Sequence, residues 1–244
     1  MRYFIELAFK GTNYCGWQEQ PNSVTVQSII NEKLSLLLRQ KIETVGAGRT
    51  DTGVHALQFF AHFDTITQIN DTQDIKNRLN KMLPYDISVF SIFEVNDTAH
   101  ARFDAVSRTY LYIIETVKNP FNSELVSFIN YQLNVDKMNE AAIILLSCSD
   151  FKSFCKTGSD NKTTICKVTK AEWRVEGSLI IFEITADRFL RNMVRAIVGT
   201  LIDVGSGKKT VIDFENIIKA LDRGFAGQSA EAQGLYLARI EYKE

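Results

Sequence analysis

Proline is almost missing from this 244-residue sequence, with three residues against thirteen glycines, and there is no low-complexity stretch or polar linker. That excludes a long flexible tether and predicts a compact fold whose halves pack together. Cysteine is sparse as well. Cys15, Cys148, Cys155 and Cys166 contain no Cys-x-x-Cys pair, and none of the three histidines lies at ligand spacing from them. No metal site is expected, and reduced core or surface thiols fit better. Long hydrophobic runs are lacking too: the strongest helical one, Ala141 to Leu146, is far below the roughly 20 residues that span a bilayer. Met1 leads straight into Arg2, Tyr3, Phe4 and Ile5, a strand-like start. A cytoplasmic protein with no membrane partner is expected. Finally, neither charge sign dominates, because 28 Lys+Arg against 29 Asp+Glu leave a net of -1. A uniformly basic nucleic-acid module is excluded, so any RNA would have to meet a local basic patch.

What the sequence does have is a 45% hydrophobic content, enough for one large domain or two compact halves. Arg2 to Phe9 reads as a strand, and Val26, Ile29, Ile30, Leu34, Leu37 and Leu38 recur at helical spacing behind a Thr25 N-cap. Ile42 to Ala47 reads as a second strand. After a glycine-rich loop, Leu57, Phe59, Ala61 and Phe63 alternate with Gln58, His62 and Asp64, as in a half-buried strand. A helix around Ile75, Leu79 and Met82 and strands near 87–95 and 107–116 complete a β-α-β-β-α-β-β order. Beyond Asn119 and Pro120 the pattern restarts, with a helix through Val135, Met138, Ala142 and Leu145 and strands near 164–175 and 179–186. An arginine-bearing helix, a helix near 214–221 and a strand over 235–242 follow. The expected fold class is α+β with a mainly antiparallel sheet and helices on one side. Residues 1–118 would form the first half, holding the loop 46–56, and 119–244 the second, holding the Arg195 helix and the Leu235 strand.

The loop from Gly46 to Ala56 concentrates chemistry. Its three glycines permit tight backbone and close approach of a ligand. Within it Asp51 stands between Thr50 and Thr52, next to Arg49 and near His55, a grouping that could position a reactive carboxylate. A hairpin turn whose Asp and Thr side chains only satisfy turn amides fits the same residues equally well. Asp51, Thr52 and Gly53 also spell the aspartic-protease tripeptide, but that chemistry needs two carboxylates sharing a proton and the tripeptide occurs once. Arg188, Arg191 and Arg195 fall on one strip of a helix beside Leu190, Met193, Val194, Ile197, Val198 and Leu201. That strip reads either as an RNA-facing patch or as a solvated face. Tyr14 and Trp17, flanking Gly16, could stack on bases or cap the core. Tyr110 and Tyr112 share a strand face, where cross-strand packing is the usual explanation. His55, His62 and His100 show no metal or triad spacing.

Six blocks in order carry a resemblance to a known family. Phe9, Gly11, Tyr14, Gly16, Trp17, Gln18 and Gln20, then Thr25, Val26 and Gln27, form the first, and the 46–56 loop the second. Ala99, His100, Ala101, Arg102 and Phe103 lead into Arg108, Thr109 and Tyr110, and Asp150, Phe151, Ser153 and Phe154 come later. Phe189 to Arg195 with Val198 and Gly199, and Gly234, Leu235, Tyr236 and Leu237, complete the set. In these blocks the sequence closely resembles the tRNA pseudouridine synthase A family. The resemblance implies Asp51 as the catalytic aspartate, Arg49 as a residue that helps extrude the target nucleotide, and Tyr110 as the aromatic beside the uracil. It further implies that Arg195 pairs with the Asp51 carboxylate and that Leu235 packs against the flipped base. Arg191 and Gln58 join Tyr110, Arg49 and Leu235 in the expected substrate-binding set. Two RNA-binding-like (ferredoxin-like) halves sharing a sheet, a site in the cleft between them, and a homodimer gripping the anticodon arm of tRNA are also implied.

The expected reaction isomerises uridine to pseudouridine at positions 38–40 of the anticodon stem-loop. It adds and removes no atoms and involves no net redox change, so no cofactor is expected. Burial would raise the pKa of a carboxylate at position 51, and a guanidinium would lower it, the part assigned to Arg195. Whether Asp51 adds to sugar, adds to base or removes a sugar proton stays open. Two departures bear on target choice: Ala230, Glu231, Ala232 and Gln233 stand where the family usually has a proline, and Lys162, Thr163 and Thr164 where an Arg-Thr pair is common. They keep alive a synthase acting on another RNA or uridine. An inactive RNA-binding module should have lost Asp51, Tyr110 or Arg195, and all three are present.

Overall fold

A computed structural model describes residues 1–158 and 162–243. The elements are β1 (Arg2–Phe9), α1 (Val26–Leu38), β2 (Val45–Gly46), β3 (His55–Asp64), α2 (Thr72–Met82), β4 (Ile87–Val95) and β5 (Ala105–Glu115). They continue with β6 (Ser127–Phe128), α3 (Val135–Ile144), β7 (Val168–Glu176), β8 (Leu179–Ala186), α4 (Met193–Gly205), α5 (Val211–Ala220) and β9 (Leu235–Tyr242). The fold is α+β; the pairs β1–β3, β1–β4, β2–β3, β5–β8 and β7–β8 are antiparallel, and the short pair β5–β6 is parallel.

Two compact units divide the chain: Met1–Val106 together with the segment from Leu237 onward, and Ser107–Tyr236. This division by contacts falls inside β5 and assigns β9 from Leu237 onward to the first unit, whereas the sequence pattern restarts near Asn119 and leaves β9 in the second.

In the first unit β1 lies between β3 and β4, with Arg2 opposite both Asp64 and Val95, and β9 lies beyond β3. Alternation along β1 sends Tyr3, Ile5, Leu7 and Phe9 into the core with Phe59, Phe63 and Ile30. Helix α1 starts where the Thr25 hydroxyl accepts from Ser28 N and the Ser28 side chain returns the bond. Of the strand expected over residues 42–47 only Val45 and Gly46 pair. Ile42 N donates instead to Ser35 Oγ at 2.8 Å and Thr44 N to Asn31 Oδ1 at 2.9 Å, so α1 claims these groups before a strand can.

In the second unit β8 runs between β5 and β7, with Tyr110 opposite Ile184 and Tyr112 opposite Phe182. The strand expected from residue 164 starts at Val168; Ile165 makes only an isolated bridge to Asp150. The expected helical strip of three arginines is not formed. Helix α4 begins at Met193 because Asn192 adopts a left-handed conformation (φ 64°), its amide donating to Ser229 Oγ at 2.6 Å. Of the three arginines only Arg195 lies on the helix.

Candidate active site

In the first unit the loop between β2 and β3 is a hairpin connection, continued past Gly46 by Ala47 N donating to Phe60 O at 2.8 Å. Its shape is fixed from below by the segment after β1. Gly16, at φ 80°, lies so close to the loop that an added Cβ would stand 2.1 Å from Thr50 O; a Cβ on Gly11 would stand 2.0 Å from Val54 O. Trp17 N donates to Thr50 Oγ1 at 3.0 Å, and Gly53 N to Tyr14 O at 3.3 Å. Within the loop Val54 N closes a turn on Asp51 O at 3.2 Å. Two backbone segments thus interlock, and Asp51, half-buried, sits in the turn between Thr50, whose hydroxyl is held by Trp17 N, and the exposed Thr52.

Neighbouring groups take defined parts. His55 is buried, and its Nδ1 accepts from Gly11 N at 2.9 Å, which assigns that nitrogen to locking the loop. Trp17 and Tyr14 belong to the core: the indole packs 4.2 Å from the Phe59 ring, and the Tyr14 hydroxyl donates to Asp86. Burial, then the Asp86 carboxylate, push the Tyr14 phenol well above its ordinary range. The indole also covers Gly46, where a Cβ would stand 2.3 Å from Nε1. Arg49 is exposed on the same turn as Asp51. Gln58, on β3, donates to Glu6 Oε1 at 2.7 Å and accepts from Ile240 N at 3.0 Å, bonds that tie its amide to β1 and β9.

In the second unit Tyr110 is half-buried on β5, with the Phe189 ring edge-on at 5.1 Å and 84°. Tyr112 points into the core, burial pushing its phenol up to about 12. Arg195 is half-buried in the first turn of α4, and its Nε donates to Ala230 O at 2.7 Å while Ala230 N donates to Arg195 O at 2.9 Å. This double link joins α4 to the segment leading into Leu235, which is buried. The segment is seated closely: a Cβ on Gly199 would stand 1.8 Å from Gln228 O, and Gly227 N donates to Thr200 Oγ1 at 2.9 Å. Arg191 is exposed just before α4, its carbonyl accepting from Lys156 N at 3.1 Å.

The sequence pointed to Asp51, Arg49, Tyr110, Arg195 and Leu235 by residue type and family blocks. It carried no sign of the link between Arg195 and Ala230, because a bond to a backbone carbonyl leaves no side-chain signature at its acceptor. Among the described residues no cluster of three or more His, Cys, Asp or Glu could hold a metal ion. Among them, too, no helix is long and apolar enough to cross a membrane.

Comparison with known proteins places this geometry in context. A family model described as tRNA pseudouridine synthase matches residues 7–104 and 141–243. The chain is 50% identical to tRNA pseudouridine synthase A of Bacteroides fragilis over 244 residues, covering 100% of this chain and 97% of that one. It is 50% identical to the protein of the same name from Azobacteroides pseudotrichonymphae over 241 residues, covering 99% and 96%. With tRNA pseudouridine synthase A of Francisella tularensis subsp. holarctica it shares 37% over 244 residues, covering 99% and 94%. A match of this length, running through the Asp51 hairpin, β5, α4 and β9, leaves one assignment: the chain belongs to the tRNA pseudouridine synthase family.

Proposed function

We propose that this protein isomerises uridine to pseudouridine in the anticodon stem-loop of tRNA, at positions 38–40, working as a cytoplasmic homodimer without a cofactor. The observation that carries the reading is the 50% identity, over the whole chain, to proteins named tRNA pseudouridine synthase A. The presentation of Asp51 from an interlocked turn supports it.

The reaction breaks the bond from C1′ to N1, turns the uracil and forms the bond from C1′ to C5; the C5 proton is lost and N1 gains one. Reaching C1′ requires the nucleotide to leave its stack, at a cost of a few kcal/mol. Arg49, exposed beside Asp51, is the residue proposed to help extrude it. Asp51 is the proposed catalytic carboxylate, and the Arg195 guanidinium is its proposed cationic partner. Tyr110 and Leu235 hold the uracil, and Arg191 and Gln58 complete the substrate contacts.

Release of tritium from tRNA labelled at uracil C5, followed by mapping of the modified position, tests the proposal. Asp51→Asn is expected to bind tRNA normally and to lose turnover by about a thousandfold; near-normal release would remove Asp51 from the chemistry. Arg195→Lys keeps the charge and loses the planar fork, with an expected loss of about tenfold or more. No release from any tRNA by well-folded protein would overturn the reading.

A further inference from the structure

In the first unit, the turn between β4 and β5 is tied down from every side. Arg2 donates through Nη1 to Ala99 O at 2.8 Å, Ala101 N donates to His62 Nδ1 at 3.1 Å, and the Tyr242 hydroxyl donates to Ala101 O at 2.7 Å. The Asp104 carboxylate accepts from His100 N at 2.7 Å, and Arg102 N donates to His100 Nδ1 at 3.1 Å. On this fixed backbone Phe103 is 75% exposed. Its ring is nevertheless held in place. His100 backs it at 4.2 Å with a 35° tilt, His62 meets His100 edge-on at 4.6 Å, and the Arg102 guanidinium carbon lies 5.7 Å from the ring centroid.

An anchored aromatic left in water, with a guanidinium at its side, is what binding of unpaired bases uses, since every base offers a π-face. Three acids stand nearby, and Asp104 accepts from His100 N at 2.7 Å. Asp64 makes two 2.8 Å bonds to Arg2, and Asp97 lies 3.8 Å from the N-terminal ammonium. We propose that Phe103 is a stacking platform for an unpaired nucleobase of the RNA, with Arg102 meeting the adjoining phosphate; the identity of that RNA as tRNA rests on the proposed function. The platform does not hold the reacting base. The Asp51 loop enters β3 at His55 and the platform stands on His62, about 23 Å further along the strand at roughly 3.3 Å per residue. A remote nucleotide is therefore gripped, and the contact tunes binding rather than chemistry.

The test compares wild type, Phe103→Ala and Phe103→Trp for tRNA Kd, for KM and kcat by tritium release, and for sedimentation and thermal midpoint. Phe103→Ala is expected to raise Kd and KM about tenfold, with kcat, sedimentation and midpoint unchanged, and Phe103→Trp to restore binding. Equal Kd for wild type and Phe103→Ala overturns the platform. So does a fall in kcat at constant KM, or a change in sedimentation with tRNA affinity intact, which would mark a protein contact instead. If wild type binds tRNA yet releases no tritium, the proposed function falls while the Kd ratio still decides the platform.

Discussion

His62 is held as a neutral imidazole: burial first, then the Arg2 and His100 charges, bring its pKa from the ordinary 6.5 down to about 4. Its Nδ1 must stay unprotonated to accept from Ala101 N. Because the folded state binds this proton less readily than the unfolded chain, the stability it contributes is present above pH 6.5. It is lost as the pH falls from 6.5 towards 4. Allowing for solvent screening, the loss is about 1–2 kcal/mol. Denaturant titrations across this range should show it, and His62→Gln, which keeps an acceptor, should flatten the dependence; an unchanged slope would remove His62 as its source. The bidentate pair with Arg2 holds the Asp64 carboxyl below its usual range, so its contribution is lost at still lower pH. Single residues differed in how far the sequence revealed them. Asp51 stood out because glycines and hydroxyls flank it. Whether Tyr14 and Trp17 were core or RNA contacts was undecidable until Phe59 and Asp86, distant in sequence, were brought against them. The bonds Gln58 makes to Glu6 and Ile240 left no trace in the sequence, because those partners lie 52 and 182 residues away.

At the level of elements, each unit guards an outer strand in the same way. Asn80 of α2 donates to Val89 O and accepts from Val89 N on β4, both at 2.8 Å. Asn139 of α3 does the same to Trp173 on β7, at 3.0 and 2.7 Å. A side-chain amide thereby replaces a missing neighbouring strand and satisfies both backbone groups. Asn80→Ala or Asn139→Ala should each cost about 1–3 kcal/mol, since the partners are left half-buried without a bond. Chemical denaturation of each variant measures this, and a change within about 0.5 kcal/mol would show that water takes the amide's place. Most element positions were legible, because alternation and helical spacing report burial directly. The arginine helix was not. Its apolar spacing runs back through Leu190, but Asn192 turns left-handed there, and a side-chain pattern carries no record of one backbone dihedral.

For the molecule as a whole, the division into units follows contacts rather than chain order. A fragment ending at residue 118 contains β1 to β5 but lacks β9, which borders β3. Residues 1–106 joined through a short linker to 237–244 should therefore unfold more cooperatively, and at higher denaturant, than 1–118. Equal midpoints would show that β9 adds nothing to the first unit. Periodicity located β9 well, yet it could not say which unit claimed it, since pairing partners are set by register and not by composition. The near-neutral charge likewise said little about RNA, whose proposed contacts include a few arginines and two aromatics, Tyr110 and Phe103, in a chain of balanced charge.

The late position of β9 has a consequence for synthesis. While the ribosome is still making the second unit, β3 waits in the nascent chain with only the short β2 pairing on the edge opposite β1, the rest of that edge being open until β9 arrives. A stalled or prematurely terminated product would carry that open edge into the cell, exposed to chaperones and to other incomplete chains.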